Sequence, residues 1–333
     1  MEHGGDILAA TAKFGGAASD WLDLSTGIAP EPYPFTQPPA DVYRRLPQQG
    51  RLDELLRAAR EAYGASDTTA IVAAPGSQSL IQTLARRYPG RGAAIVGPTY
   101  TGHAQAWAGA GRPVRHVAHV GEAEPGETAI VVNPNNPDGR IHDPQALTAG
   151  ADERARHGGL LVVDEAFADA IPAASAAPWS GVPGIVVLRS FGKFFGLAGV
   201  RLGFALGDER VISELRQVLG PWPVAGPAIE IGIEALSDHA WQVAARERYA
   251  RDAGALDRLL VETGHEIIGG TPLFRLTKRS DARAMHVALA RQHILTRVFE
   301  HDWNLIRYGL PGEANIGRLE AGLRAAAEVT SRR

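Results

Sequence analysis

The chain has 333 residues, of which 45% are hydrophobic and 21% charged, and it carries a formal net charge of −3. Because 34 basic residues nearly balance 37 acidic ones, the composition argues against a protein that binds nucleic acid or a membrane surface through charge. The sequence has no cysteine, which excludes disulfides, thiolate metal sites and cysteine nucleophiles and fits a cytoplasmic protein. A chain of this length is expected to form one large domain with a smaller companion.

The first 40 residues are rich in glycine and proline, including Pro30, Pro32, Pro34, Pro38 and Pro39. This composition predicts an extended arm over the surface, with a disordered tail as the alternative. The first residues contain neither a basic segment nor an apolar one, and no later stretch approaches about 18 uninterrupted apolar residues. We therefore expect neither a signal peptide nor a membrane span.

Helical patterns and short apolar runs alternate through the middle of the chain. Apolar residues recur at helical spacing between Leu52 and Tyr63, and Gly64 follows as a stop signal. Asp143 and Pro144 are typical of a helix start, and this helix is expected to continue to about residue 158. Strands are predicted at 70–74, 93–96, 129–132, 160–163, 185–188 and 203–206.

After residue 226 the pattern changes to longer helices around a few strands, predicted at 273–276 and 305–308. The whole chain therefore predicts an α/β fold with two parts. A large domain at 41–225 contains a mostly parallel sheet flanked by helices. The segment 226–333 forms a smaller α+β domain together with the arm at 1–40.

The most informative local pattern follows the predicted strand 185–188. Ser190-x-x-Lys193 is followed by Gly199-x-Arg201-x-Gly203, so a hydroxyl, a lysine and an arginine leave the end of a strand in a glycine-rich loop. Open parallel sheets bind ligands at the carboxyl ends of their strands, and glycine lets the backbone approach a ligand closely. A partly buried lysine at such a place is suited to react with a carbonyl group. A solvated basic loop is the alternative interpretation.

This pattern resembles the cofactor-lysine motif of fold-type I pyridoxal-phosphate enzymes. The resemblance implies that pyridoxal 5′-phosphate (PLP) is the cofactor, that Lys193 holds it as a Schiff base, and that Ser190 and Arg201 bind its phosphate. It also implies the fold of that family. No metal site is expected, since the spacing of His116 and His119 need not put them on one face of a strand.

Other parts of the family's site follow in the proper order. Gly76, Ser77 and Gln78 come after the strand 70–74 and open a helical pattern, which suits a phosphate dianion at a helix N-terminus. Tyr100, just beyond the next strand, matches the aromatic residue that the family stacks on the cofactor ring. Taken alone, the first feature is an ordinary turn, and a lone tyrosine is more often simple packing.

Two polar residues complete the expected contacts with the cofactor ring. The segment 133–139 is similar to the family's Asn-Pro-x-Gly turn, in which the residue matching Asn136 hydrogen-bonds the phenolic oxygen. Asp164 ends the apolar strand 160–163, and the matching residue keeps the pyridine nitrogen protonated. Many relatives have Tyr where this chain has Phe167, so that hydroxyl is absent here. The resemblance thus implies that Asp164, Tyr100 and the cofactor lysine are catalytic.

Two arginines near the C-terminus are expected to bind the substrate. Arg307, on the predicted strand 305–308, matches the family's carboxylate-binding arginine, and a guanidinium fork suits a bidentate carboxylate. Arg297, ten residues earlier, is a weaker candidate for a second anionic contact. A surface salt bridge is the alternative interpretation of Arg307.

Further motifs make the chain similar to the threonine-phosphate decarboxylases of cobalamin biosynthesis. They are His3-Gly4-Gly5-Asp6, Leu46-Pro47 and the segments 21–28, 164–167 and 307–312. This resemblance implies PLP-dependent decarboxylation of L-threonine O-3-phosphate to (R)-1-aminopropan-2-yl phosphate. By analogy, His3 and the amides of Gly4 and Gly5 are expected to close over the substrate phosphate. Ala29 stands where relatives commonly have Asn, so an amide contact is absent there.

Other interpretations stay open at this point. A histidinol-phosphate-like aminotransferase acting on a phosphorylated amino compound would share these motifs, since only the bond broken at Cα differs. The sensor half of a transcription regulator would need an N-terminal DNA-binding domain, for which the first 40 residues leave no room. A homodimer is expected by resemblance. For His103, three residues after Tyr100, a helix-surface position is favoured over one facing the site.

Overall fold

The computed structural model describes residues 4–88, 90–300 and 302–330. The chain forms two compact units. Unit 1 comprises Met1–Pro32, Pro137–Gly139 and Val243–Arg333, and unit 2 comprises Tyr33–Asn136 and Arg140–Gln242. The domain boundaries near residues 40 and 225 stay a prediction from the sequence.

The strands, in chain order, are β1 Leu22–Asp23, β2 Ala70–Ala74, β3 Ala93–Val96, β4 Val114–Val117, β5 Thr128–Val132, β6 Leu160–Asp164, β7 Ile185–Ser190, β8 Gly203–Gly207, β9 Glu266–Thr271, β10 Phe274–Lys278, β11 Ile294–Leu295, β12 Arg297–Val298 and β13 Leu305–Gly309. The α-helices are α1 Ile7–Phe14, α2 Ala40–Arg44, α3 Gln49–Ala62, α4 Ser77–Arg87, α5 Thr101–Gly109, α6 Pro144–Thr148, α7 Ala151–Arg156, α8 Phe191–Phe194, α9 Glu209–Leu219, α10 Gly226–Ser237, α11 His239–Glu262, α12 Ala282–Ala290 and α13 Ile316–Thr330. Short 3-10 helices lie at Ala18–Asp20, Val120–Glu122, Ala168–Ala170, Pro172–Ala174, Ala177–Trp179, Ala198–Val200 and Glu313–Asn315.

Unit 2 is built on a seven-stranded sheet with the strand order β2-β8-β7-β6-β5-β3-β4. Strands β4, β3, β5, β6 and β7 run parallel, whereas β8 is antiparallel to both β7 and β2. Every residue of β2, β3, β5 and β6 is buried, as expected of apolar strands in a sheet covered on both faces. The predicted α/β fold with a mostly parallel sheet is confirmed.

One face of this sheet packs against α4, α5 and α9. The core there includes Leu80 and Leu84 of α4, Trp107 of α5, and Ile212 and Leu215 of α9. Each of these side chains is at most 3% exposed, and burying a side chain of this kind contributes about 1.5–3 kcal/mol. Because α4 and α5 follow β2 and β3 after short turns, this packing also fixes their N-termini beside the sheet.

Unit 1 contains a four-stranded antiparallel sheet with the order β12-β13-β10-β9, and a separate parallel pair of β1 with β11. The strands predicted at 273–276 and 305–308 correspond to β10 and β13, which lie in the centre of this sheet. Ile306 and Tyr308 of β13 are fully buried. Because β13 is central and buried, the backbone of Arg307, which lies between these two residues, is fixed.

The prediction of a wholly extended N-terminal arm is wrong, because the arm contains α1. Asp6 caps this helix, since its Oδ1 accepts the N–H of Ala9 at 2.9 Å. Ala10 is fully buried in a small cluster with Trp21, and the ring of Phe14 packs on that tryptophan with centroids 6.3 Å apart. A cap followed by apolar residues at helical spacing is readable from the sequence, but the surrounding glycines obscure it.

The helix predicted to begin at Asp143 is shorter than expected. Asp143 does cap α6, since its Oδ1 accepts the N–H groups of Gln145 and Ala146 at 2.8 and 3.2 Å. The helix nevertheless ends at Thr148, and α7 begins after Gly150, whose φ of +82° is left-handed. Glycine is the residue that adopts this conformation without strain, so Gly150 divides the predicted helix in two.

Candidate active site

The residues predicted to bind the cofactor lie in unit 2, at the carboxyl ends of adjacent strands. Asn136 follows β5, Asp164 ends β6 and Ser190 ends β7, and these three strands are parallel neighbours. Lys193 lies on the short helix α8, directly after β7. The carboxyl ends of parallel strands meet at one edge, which is where open α/β sheets bind ligands. The fold therefore brings these four residues to one edge of the sheet.

A turn whose geometry suits an anion forms where β2 leads into α4. Gly76 is the N-cap residue with φ +84°, and no side chain among the described residues caps this helix. A Cβ on Gly76 would stand 2.5 Å from Nη2 of Arg201, so the guanidinium lies directly against the turn. A Cβ on Gly203, the Cα partner of Ser190, would stand 2.4 Å from the amide nitrogen of Ser77. First-turn N–H groups beside a guanidinium suit a phosphate dianion.

Asp164 is buried, and both of its carboxylate oxygens are hydrogen-bonded. Oδ1 accepts the N–H of Ala166 at 3.1 Å, and Oδ2 lies 2.8 Å from Nε2 of His103. A carboxylate only accepts hydrogen bonds, so the imidazole donates from Nε2. The favoured surface position of His103 is therefore wrong, because this side chain is 1% exposed. Its spacing of three residues from Tyr100 is the signal in the sequence that could have placed it at the site.

Tyr100 is half-buried at the start of α5. Its hydroxyl donates to Oε1 of Gln78 at 3.1 Å, and its ring meets that of His103 edge-on with centroids 6.1 Å apart. A Cβ on Gly102 would stand 2.4 Å from the tyrosine ring, so this position requires glycine. Burial, followed by the negative charge of Asp164, raises the pKa of Tyr100, and the hydroxyl stays protonated.

Lys193 lies on a helical turn whose neighbouring side chains form an aromatic cluster. Phe191 stacks on Phe195 with ring centroids 4.5 Å apart, and Phe195 stacks on Trp241 at 5.6 Å. Tyr33 meets Trp241 edge-on at 5.0 Å. Stacked and edge-to-face rings favour a small set of geometries. The packed rings therefore restrict the conformation of the turn that carries Lys193.

Lys193 and Asn136 are both half-buried. Nζ of Lys193 lies 5.9 Å from the ring centroid of Phe167, which is within the range of a cation–π contact. Phe167 itself is buried. The turn that leads to Asn136 is held by Asn133, whose Nδ2 donates to the carbonyl oxygen of Ala174 at 2.8 Å. This hydrogen bond thus fixes the backbone that leads to Asn136.

Arg297 and Arg307 lie in unit 1, on neighbouring antiparallel strands. They are direct Cα partners across β12 and β13, so both side chains project from the same face of the sheet. Arg307 is buried, and its Nη2 donates to the carbonyl oxygen of Ser25 at 2.8 Å. Burial first, and then the charge of Arg297, lower the pKa of Arg307 to about 10, against an opposing effect of Asp23. Two like charges in this arrangement suit an anionic ligand.

The segment before α1 packs on the residue that binds Arg307. The N–H of Gly5 donates to Oγ of Ser25 at 2.8 Å. A Cβ on Gly4 would stand 2.4 Å from the Ser25 carbonyl oxygen, which is the acceptor of the arginine. Gly4 and Gly5 are thus next to the carbonyl that holds Arg307. His3 lies outside the described residues.

The sheet-edge residues of unit 2 fit pyridoxal phosphate. The turn at Gly76 offers first-turn amides and the guanidinium of Arg201 for the phosphate, and only glycine lets that guanidinium lie so close to the turn. Asp164 offers a buried negative charge for a protonated ring nitrogen, and Lys193 offers an amine. The described part of the chain holds no cluster of three His, Asp or Glu side chains that could bind a metal ion. None of the helices in the described ranges is long and apolar enough to cross a membrane.

A family model for aminotransferase class I and II matches residues 42–302, and the chain belongs to this family. Within that class, the chain is 43% identical over 328 residues to the threonine-phosphate decarboxylase of Pseudomonas aeruginosa, with 97% of each chain covered. It is 42% identical over 334 residues to the threonine-phosphate decarboxylase of a Sinorhizobium species, which covers 99% of this chain and 97% of the relative.

A solved structure supports the fold. Histidinol-phosphate aminotransferase from Sinorhizobium meliloti, in complex with pyridoxal-5′-phosphate, superposes with a TM-score of 0.81 at 20% identity. The match covers 98% of this chain and 95% of that one. At this identity the likeness shows the fold alone, and the predicted fold of the fold-type I enzymes is confirmed.

Proposed function

We propose that this chain is a PLP-dependent threonine-phosphate decarboxylase, which converts L-threonine O-3-phosphate to (R)-1-aminopropan-2-yl phosphate and CO₂ in cobalamin biosynthesis. The observation that carries the proposal is the identity of 43% and 42%, over nearly the whole chain, to two relatives of that name. The site in unit 2 supports it, because a phosphate cradle, a buried carboxylate and an amine meet at one sheet edge.

The chemistry requires electrons to leave a bond at Cα of the substrate. Pyridoxal phosphate, when bound at this site, would supply an electron sink for this pair of electrons. Asp164, held by His103, keeps a proton on the pyridine nitrogen and so strengthens this effect. Lys193 anchors the cofactor before the reaction and carries on Nζ the proton that replaces CO₂ at Cα.

The remaining residues of this site bind and orient the cofactor. Ser190, Arg201 and the first-turn amides of Ser77 and Gln78 would hold the cofactor phosphate. Their combined positive potential suits a dianion, which anchors the cofactor away from the reacting bond.

Two further residues contact the ring of the cofactor in this proposal. Tyr100 supplies an aromatic face, with its hydroxyl held by Gln78. Asn136 donates a hydrogen bond to the phenolic oxygen and takes a larger share of this contact because residue 167 is Phe. Both residues restrict the orientation of the ring and so determine which substrate bond is broken.

The arginine pair of unit 1 binds the anionic groups of the substrate. Arg307 takes the carboxylate and Arg297 the phosphate, and both contacts offset the repulsion between these two neighbouring positive charges. Only contacts that strengthen toward the transition state raise the rate, so Arg307 serves to bind and orient the carboxylate. By analogy, we also expect His3, Gly4 and Gly5 to contact the substrate phosphate.

Incubation of the PLP-loaded protein with L-threonine O-3-phosphate tests the proposal. We expect one CO₂ released for each 1-aminopropan-2-yl phosphate formed, without any keto-acid acceptor. Lys193→Ala should lower this rate by at least about 10²-fold, while Lys278→Ala, on the exposed end of β10, should retain it. Consumption of a keto acid without release of CO₂ would identify an aminotransferase instead.

We further propose that the enzyme works in the cytoplasm as a homodimer, as the family resemblance implies. Sedimentation equilibrium of the PLP-loaded protein should give twice the mass of the chain. A mass equal to one chain at micromolar concentration would contradict the dimer.

A further inference from the structure

A buried group of charged side chains lies behind the cofactor residues of unit 2 and has no part in the chemistry above. Nη1 of Arg189 donates to Oε2 of Glu165 at 2.6 Å and to Oγ of Ser175 at 3.2 Å, and Nη2 donates to Asp169. All four residues are at most 5% exposed. These four residues form the Arg189 cluster.

The Arg189 cluster adjoins the strand ends that carry the cofactor residues. Glu165 directly follows Asp164, and Arg189 directly precedes Ser190, so neighbouring side chains point to opposite faces of the sheet. The contacts agree with this alternation. Asp164 binds a histidine of α5, whereas the guanidinium of Arg189 lies over the ring of Tyr63, 4.1 Å from its centroid. One face thus carries cofactor residues, and the other face carries the cluster.

The cluster also holds the segment 165–177, which follows β6. Oε2 of Glu165 accepts the hydroxyl of Ser175 at 2.6 Å, and Oε1 accepts the N–H of Ala176. From the neighbouring strand, Nδ2 of Asn133 donates to the carbonyl oxygen of Ala174 at 2.8 Å. The ends of β5, β6 and β7 are therefore tied to one segment, and these are the ends that precede or carry Asn136, Asp164 and Lys193.

Stability alone does not explain why this position holds charges. Removing a guanidinium and two carboxylates from water is unfavourable, and apolar residues of similar volume are often at least as stabilising. A guanidinium fork does, however, impose a defined geometry on the carboxylates that it binds. Charges are therefore expected here where the spacing of the strand ends matters for function.

We infer that Arg189 is a positioning residue for the cofactor. By holding the ends of β6 and β7 together from behind, it fixes the separation of Asp164 from Lys193. Errors in this separation misplace the ring nitrogen or the reacting carbon relative to the groups that serve them. The inference rests on the proposed function in so far as that function requires PLP.

A variant whose Arg189 cluster carries no charge tests whether the cluster positions the cofactor residues or only fills space in the interior. The triple variant Glu165→Gln, Asp169→Asn, Arg189→Met removes all three charges together, so that none is left buried alone. We expect the cofactor-free variant to unfold at about the parental temperature. The dissociation constant of PLP should rise at least about 10-fold, and kcat at saturating PLP should fall about 10- to 100-fold, because small misplacements are costly at a reacting centre.

Two further variants serve as controls. Arg115 of β4 binds Glu127 through Nε at 3.0 Å and Nη2 at 2.8 Å, away from the strand ends of the site. Arg115→Met with Glu127→Gln should leave PLP affinity and kcat unchanged. Arg189→Lys keeps the positive charge but not the fork, and it should bind PLP with an affinity between those of the parent and the triple variant.

The visible circular dichroism of bound PLP reports the geometry of the site independently of turnover, and it should change in the triple variant but not in Arg115→Met with Glu127→Gln. A triple variant with parental unfolding temperature, PLP affinity and dichroism would overturn the inference. If the triple variant does not fold, parental PLP affinity in Arg189→Lys would overturn it equally. Because these measurements need no substrate, they are independent of the choice between decarboxylation and transamination.

Discussion

Opposite charges are paired in one group of functional residues, whereas like charges are neighbours in the other. In unit 2, Asp164 is hydrogen-bonded to His103, and Arg189 is bound by two carboxylates. In unit 1, Arg297 and Arg307 are direct Cα partners on two neighbouring strands. Ion pairs and hydrogen bonds within the chain organise a site before a ligand arrives, whereas two neighbouring like charges gain from an incoming anion. We therefore expect an anionic ligand to stabilise the arginine pair more than it stabilises the charges of unit 2.

The largest effect is expected from removing the charge of Asp164. Asparagine keeps the size of the side chain but does not hold a proton on the pyridine nitrogen. We expect Asp164→Asn to lower kcat about 10²- to 10³-fold at saturating PLP. Asp152→Asn, at an exposed position of α7, is the control and should retain the parental kcat. An unchanged kcat in Asp164→Asn would break the assignment of this charge to the cofactor.

A smaller effect should separate the roles of the two arginines. The product keeps the phosphate of the substrate but lacks its carboxylate. We therefore expect Arg307→Gln to raise KM for threonine phosphate about 30-fold or more, because a buried charged contact is lost. Inhibition by 1-aminopropan-2-yl phosphate should stay as in the parent. Arg297→Gln should instead weaken the binding of both the substrate and the product.

Arg324→Gln, on the exposed face of α13, controls for a change of net charge and should alter neither constant. If Arg307→Gln weakens the binding of the product as much as that of the substrate, then Arg307 binds the phosphate and the two assignments are exchanged. If neither variant changes KM, the arginine pair is not the anion site.

The smallest effect concerns the stability of unit 1 in acid. His265 is buried with Nε2 2.8 Å from the hydroxyl of Tyr308, and burial, followed by the charge of Arg279, lowers its pKa to about 4. Below pH 6.5 the unfolded chain takes up a proton that the folded chain does not, so stability falls as the pH falls. By pH 5 this loss is about 2 kcal/mol. Urea unfolding at pH 7 and pH 5 should show that His265→Gln loses less free energy of unfolding than the parent protein. Equal losses in the two proteins would contradict this role of His265.

The strands that carry the site are readable from the sequence because buried parallel strands are continuous apolar runs. Strands β2 and β3 have the predicted bounds, and β5 to β8 extend one or two residues further at one end. Asn136, Asp164 and Lys193 follow such runs, and the carboxyl ends of parallel strands share an edge. Their order along the chain is therefore enough to bring them together.

Contacts between distant segments are not readable in the same way. His103 precedes Asp164 by 61 positions, and their hydrogen bond depends on how α5 packs against the sheet. Arg189 likewise joins residues of two segments that no local pattern relates. Pairings of this kind follow from packing in three dimensions, so the sequence indicates the residues proposed to touch the cofactor better than those that support them.

Chemical trapping of the cofactor tests the central claim most directly, namely that the end of β7 presents the cofactor lysine. The chain has three lysines, Lys13, Lys193 and Lys278. Borohydride reduction of the PLP-loaded protein, followed by mass mapping of its peptides, shows which of them bonds to the cofactor. We predict a pyridoxyl group on the peptide that contains Lys193 and on no other. A label on Lys13 or Lys278, or no label at all, would contradict this account.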